Sequence, residues 1–144
     1  MDFLDKRVGV ICNELKKLKV KQVFPLTQWE YKEGSFIYPE DALKDEAAWE
    51  NFDCKTMHWY GKDRHYWFRT TYTVPEELEG KSIWIRISSQ IDEWDDGRNP
   101  QFIVFVNGEV YQGIDMNHRE CLITRSGKAG ETLTIDLQAY TGIM

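Results

Sequence analysis

From residue 67 to residue 142 the sequence alternates apolar and polar side chains, and turn residues interrupt it at short, fairly even intervals. Successive side chains on a strand point to opposite faces, so a two-residue period marks a strand buried on one side only. In 67–74, Phe68, Thr70, Tyr72 and Val74 share one face, Pro75 ends the strand, and Glu79-Gly80-Lys81 turns the chain. In 82–88, Ile83, Ile85 and Ile87 alternate with Trp84, Arg86 and Ser88. Residues 101–106 are apolar on both faces, which predicts a central strand. Asn107-Gly108 then supplies the residue pair that a two-residue hairpin needs, with 109–112 as the return strand. A further strand is expected over 120–124, a turn over 126–130, and a last strand in which Leu133, Ile135 and Leu137 alternate. The total is about seven or eight strands with no helix between them, which predicts a mainly β antiparallel sandwich or jelly roll and excludes a parallel α/β sheet.

The segment ahead of this run reads differently. Leu4, Val8, Ile11, Leu15 and Leu18 step by four, three, four and three, so residues 3–18 form one helix with an apolar stripe. Asp2 stands where a helix is capped, and Lys16, Lys17 and Lys19 stand where the helix dipole favours positive charge. Such a short helix is marginal alone in water and must dock its stripe, either on the sandwich or on something outside this chain. Residues 20–57 are less regular. A short edge strand is expected over 20–26, demoted by Pro25, another over 29–32, and a loop over 39–51 with a helical turn at 46–49. Trp29, Tyr31, Phe36, Tyr38, Trp49 and Phe52 are expected to pack over one end of the core. The helix (1–19) and the sandwich (20–144) account for the whole chain.

The bulk numbers narrow the function classes. The 144 residues suit one domain, and a hydrophobic fraction of 42% with 14% aromatics is enough for a genuine core. A formal charge of −6, from 18 basic and 24 acidic residues, with no basic stripe, argues against nucleic acid or an anionic membrane as partner. The charged N-terminus has no signal-peptide core and no stretch is long enough to span a bilayer, so the expected compartment is the cytoplasm. Cys12, Cys54 and Cys121 are widely spaced and unpaired in pattern, and read as reduced structural thiols.

Several motifs occur together in one order. Trp67-Phe68-Arg69 through Val74-Pro75, Gly80-Lys81, Val106-Asn107-Gly108 and Gly130-Glu131 with Leu133 and Ile135 resemble the galactose-binding-like β-sandwich, a jelly roll that recurs as an accessory domain of glycoside hydrolases. More narrowly, Tyr60-Gly61-Lys62-Asp63 with His65 and Trp67-Phe68-Arg69 resembles the N-terminal domain of bacterial family 38 α-mannosidases. So do Trp94-Asp95, Asn99-Pro100-Gln101-Phe102 and Gln112-Gly113 followed by Asp115 and Asn117-His118. The resemblance covers about the last ninety residues. It implies a longer parent, a retaining α-mannosidase with one zinc and an Asp nucleophile in a catalytic domain absent from this chain. It also implies that the catalytic domain of the same parent is the partner, with mannose-containing glycans and a homo-oligomeric parent as further expectations. Zinc in such enzymes is held in part by a His-x-Asp motif, and none occurs around His58, His65 or His118. No catalytic residue, metal ligand or cofactor is therefore expected within this chain.

The densest acidic patch is Asp92-Glu93-Trp94-Asp95-Asp96. It reads as a solvated or interface loop, as a cation or ligand contact completed by Asn99, or as a catalytic pair. Retaining glycosidases hold two carboxyl groups roughly 5–5.5 Å apart, and no partner acid stands out elsewhere. A pyranose stacks its apolar face on an aromatic ring while its hydroxyls bond planar polar groups. Trp94 beside Asp95, Asp96, Arg98 and Asn99 has that composition, and Asn117 and His118 on a second loop are candidates to contact sugar or the catalytic domain. His65 and His118 equally suit structural, hydrogen-bonded roles. The competing functions are a docking accessory domain, an autonomous carbohydrate-binding module, and a small enzyme acting alone.

Overall fold

The computed structural model describes residues 3–19, 22–89 and 100–142. After helix α1 (Phe3–Lys19) come β1 (Gln28–Glu33), helix α2 (Pro39–Lys44), β2 (Glu50–Asp53), β3 (His65–Thr73), β4 (Ile83–Arg86), β5 (Gln101–Val106), β6 (Glu109–Ile114), β7 (Glu120–Thr124) and β8 (Thr132–Tyr140). Among the described residues the strands form an antiparallel six-stranded sheet, in the order β2-β1-β3-β8-β5-β6, and a two-stranded sheet of β4 and β7. This is the mainly β sandwich with an N-terminal helix that the alternation predicts.

The core lies between the sheets. Phe68 of β3, Leu137 of β8 and Val104 of β5 are register partners in one row, and all three are buried. Ile83, Cys121 and Ile123 close the core from the smaller sheet. The hairpin at 107–108 forms as expected. Asn107 (φ 50°) and Gly108 (φ 85°) both take the left-handed conformation that a type I′ turn requires. Asn107 Oδ1 also accepts the Thr134 N–H at 2.9 Å. A bulge then places Gln112 opposite Val104 and Val110 opposite Phe105, leaving Tyr111 without a register partner.

The outer face of the large sheet carries a second apolar cluster. Trp67 and Phe105 are buried there under Ala42 of α2, with Phe36 and Trp49 packed around them. Lys32, only 4% exposed, fixes this cover. Its Nζ donates to Asp45 Oδ2 (3.1 Å) and to the carbonyls of Asp45 (3.3 Å) and Ala47 (3.4 Å). The same ammonium stands 5.1 Å from the Trp49 ring centroid and 5.3 Å from that of Phe36. The burial of Trp29, Tyr31, Phe36, Trp49 and Phe52 matches the sequence reading, whereas Tyr38 stays exposed.

Three expectations are corrected, and one alternative left open, the docking of α1, is narrowed. The helical turn lies at Pro39–Lys44 rather than at 46–49, because Pro39 presets φ for a first helical turn and Glu40 and Asp41 suit its positive end. Residues 22–27 form no strand; Pro25 has no N–H to pair, and Trp29 Nε1 takes the Leu26 carbonyl at 3.0 Å. Residues 20 and 21 lie outside the described set. The α1 stripe does not dock on the sandwich: Val8, Ile11, Leu15 and Leu18 are 51–65% exposed. Of the three free thiols only Cys121 is buried, since Cys12 sits on that solvated helix and Cys54 in the turn after β2.

Candidate functional site: an open groove on the outer sheet face

Trp94, Asp95, Asp96, Arg98 and Asn99 lie outside the described residues. Asn117 and His118 are placed, in the turn between β6 and β7. Asp115 Oδ1 accepts the backbone N–H groups of Asn117 (2.8 Å) and His118 (2.7 Å) and lies 3.2 Å from His118 Nδ1. The N–H of His118, then that of Asn117 and the His118 ring, hold the Asp115 carboxyl below the usual carboxylate range. Asp115 N–H closes the loop on the His118 carbonyl (3.2 Å), and Arg119 Nε donates to the Met116 carbonyl (2.9 Å). The turn is thus built around Asp115, with the His118 side chain 75% exposed.

Asp115 also lines an open groove of about 520 Å³ on the outer face of the six-stranded sheet. Register explains how the groove forms. Ile103, Gln138 and Gly113 share one row across β8, β5 and β6, and His65 and Gln101 both pair with Tyr140 in the next. The rings of His65 and Tyr140 stack, centroids 4.9 Å apart and planes 30° apart. Tyr140 Oη donates to Asp63 Oδ1 at 2.9 Å; desolvation and that bond push the phenol above its ordinary pKa. Asp63 itself holds a left-handed φ of 53°, and its N–H donates to the Gly142 carbonyl (2.7 Å). Gln138 Nε2 is committed to the Phe36 carbonyl at 2.5 Å.

Asn117 and His118, named from the sequence, lie in the turn that carries Asp115 and do not line the groove, whereas Gln101, Gly113 and Tyr140 line it and were not singled out as contacts. The signal was present in β8, where inward Leu133, Ile135 and Leu137 put Asp136, Gln138 and Tyr140 on the other face. His65, read as structural, is the ring stacked beside Tyr140. Farther along that outer face, Arg69 Nε stands 3.4 Å from Asp136 Oδ1, while Asp136 Oδ2 and Trp67 Nε1 are buried without a hydrogen-bond partner. Among the described residues no three His, Cys, Asp or Glu side chains gather as a metal site. No described helix is long and apolar enough to cross a membrane.

The fold class is a mainly β sandwich of antiparallel sheets with an N-terminal helix, and it recurs as one part of larger solved structures. The chain is similar to one part of a β-glucuronidase from Ruminococcus gnavus in complex with D-glucuronic acid, with 13% identity, a TM-score of 0.52, and coverage of 85% of this chain and 23% of that one. It is likewise similar to the Faecalibacterium prausnitzii β-glucuronidase, with 16% identity, a TM-score of 0.51, and coverage of 82% of this chain and 22% of that one. The chain therefore spans less than a quarter of the length of these solved structures. No protein-family model matches the sequence, and no curated protein matches it.

Proposed function

We propose that this chain is a non-catalytic accessory domain of a larger glycoside-cleaving enzyme, seated against that enzyme's catalytic domain. The observation that carries the reading is that its fold recurs, over most of its length, as about a quarter of two glycosidases. Two surfaces support docking. The α1 stripe of Val8, Ile11, Leu15 and Leu18 stays exposed, and a helix of this kind gains most of its stability by packing such a face on a partner. Ile37, Tyr38 and Leu43 stay exposed beside the α2 cover. The ordered motifs at Tyr60-Gly61-Lys62-Asp63, Val106-Asn107-Gly108 and Asn117-His118 favour a zinc-dependent retaining α-mannosidase as the parent, with zinc and nucleophile in the catalytic domain. The β-glucuronidase likeness is one of fold and leaves the parent's sugar to those motifs.

The test joins two measurements. The isolated 144-residue chain should hydrolyse neither an aryl α-mannoside nor an aryl β-glucuronide. The coding sequence beyond residue 144 should contain a His-x-Asp motif and further acids. Hydrolysis by the isolated chain, or a stop codon directly after residue 144, would overturn the reading. A continuing sequence with a glycosidase domain but no such motif would remove only the mannosidase assignment. A second reading, carbohydrate binding by the domain itself, is favoured by the groove.

A further inference from the structure

We infer that the groove on the outer sheet face is a binding site for a neutral pyranose, with Tyr140 as its platform and Gln101 and Asp115 as its hydroxyl contacts. The inference rests on the carbohydrate-binding reading and gives it a place and a ligand class.

Size and shape come first. A volume of about 520 Å³ falls inside the range of about 300–1,000 Å³ usual for small-ligand sites. The opening depends on Gly113. It shares a row with Ile103, and a Cβ added there would meet nothing nearer than the Phe102 carbonyl at 3.9 Å. Any larger side chain at 113 would fill the groove without touching the core.

Preorganisation comes second. A pyranose presents a face of C–H groups to an aromatic ring and a rim of hydroxyls to planar polar groups. Tyr140 is held by the His65 ring stacked beside it and at its hydroxyl by Asp63, so its ring is oriented before any ligand arrives. Asp115 is fixed by the backbone of its own turn, with accepting capacity for a hydroxyl, and the Gln101 amide both donates and accepts.

Charge selects the sugar class. Among the described residues no Lys or Arg lines the groove, and Asp115 places a carboxylate at its wall. A uronate would bring a second carboxylate toward that one, whereas a neutral hexopyranoside brings only hydroxyls.

The experiment is a titration of the isotopically labelled 144-residue chain, read by amide chemical shifts, with methyl α-mannopyranoside, methyl β-glucopyranoside and sodium glucuronate. A neutral glycoside should saturate the signals of Gln101, Gly113 and Tyr140 with a Kd of about 1–10 mM, and glucuronate should bind at least about tenfold more weakly. Gly113→Leu and, as a milder surface change, Gln101→Ala should each weaken binding by about tenfold or more while the thermal midpoint stays unchanged. Absence of saturable shifts with every probe at about 50 mM, or shifts that persist in Gly113→Leu, would overturn the site. Equal binding of glucuronate would overturn the ligand class. None of these failures touches the accessory-domain reading, which stands or falls on the hydrolysis assay and the downstream coding sequence.

Discussion

Arg69 reaches only one oxygen of Asp136, Nε to Oδ1 at 3.4 Å, and leaves Oδ2 buried without a partner. Burial pushes this carboxyl above its ordinary pKa, and the Arg69 charge offsets only part of that shift. A folded-state pKa above the unfolded value of about 3.9 contributes stability below the unfolded pKa, and that contribution is lost as pH rises through the folded one. Ionised Asp136 is therefore a burden at neutral pH. Asp136→Asn should raise stability by about 1 kcal/mol at pH 7, and the gain should shrink as pH falls toward 4. Thermal midpoints of both proteins across that range check this; a difference that does not vary with pH would contradict it.

Lys32 holds the cover over Trp67 and Phe105 through three oxygen contacts and two aromatic faces. Lys32→Ala should cost about 2 kcal/mol or more in urea unfolding, because it opens a cavity, takes the donor from the Asp45 and Ala47 carbonyls and removes the cation from both rings. Asp45 is held below its ordinary pKa by the Lys32 hydrogen bond first and the Ala47 N–H second. That contribution is present above the unfolded pKa and disappears as pH falls through the folded one. The variant should accordingly lose less stability than the parent on acidification.

The left-handed pair Asn107 and Gly108 sets the register of β5 against β6. Gly108→Val should cost about 1–2 kcal/mol, since a β-branched side chain strains a positive φ. Asn107→Ala should cost a similar amount by losing both αL tolerance and the Thr134 contact. Chemical denaturation of each variant provides the measurement.

Ile11 and Leu15 are exposed on α1. Replacing either with Asp in the isolated chain should change the unfolding free energy of the sandwich by less than about 0.5 kcal/mol, and removing residues 1–21 should leave its thermal midpoint in place. A large drop would mean that α1 is part of the sandwich core after all.

Strands whose two faces differ were the legible part. The periods of β3, β4 and β8 named their inward residues, and Asn107-Gly108 named its turn. The position of α2 was marked by Pro39 and by Glu40 and Asp41 in its first turn, a signal masked by the helical character of Glu46 to Trp49, and the structure adds that Lys32 ties down Asp45 and Ala47 after it. The docking of α1 was left open by a stripe that shows a need for a partner without naming it. The groove was hidden for a different reason. His65, Gln101, Gly113 and Tyr140 come from four strands, and only the pairing of β3, β8, β5 and β6 brings them together. Of the predicted contacts, Asn117 and His118 sit on the turn that carries Asp115 without lining the groove, while 94–99 lie outside the described residues.

The pairing of β3 with β8 has a further consequence. The two longest strands lie side by side along their whole lengths, from His65 against Tyr140 to Thr73 against Thr132, with roughly two-fifths of the chain between them. During synthesis the first of these strands leaves the ribosome long before its partner exists. The large sheet stays split, with the edge of β3 that faces β8 unpaired, until β8 emerges. This domain therefore folds late relative to its own translation, and in the interval it depends on whatever shields an open strand edge.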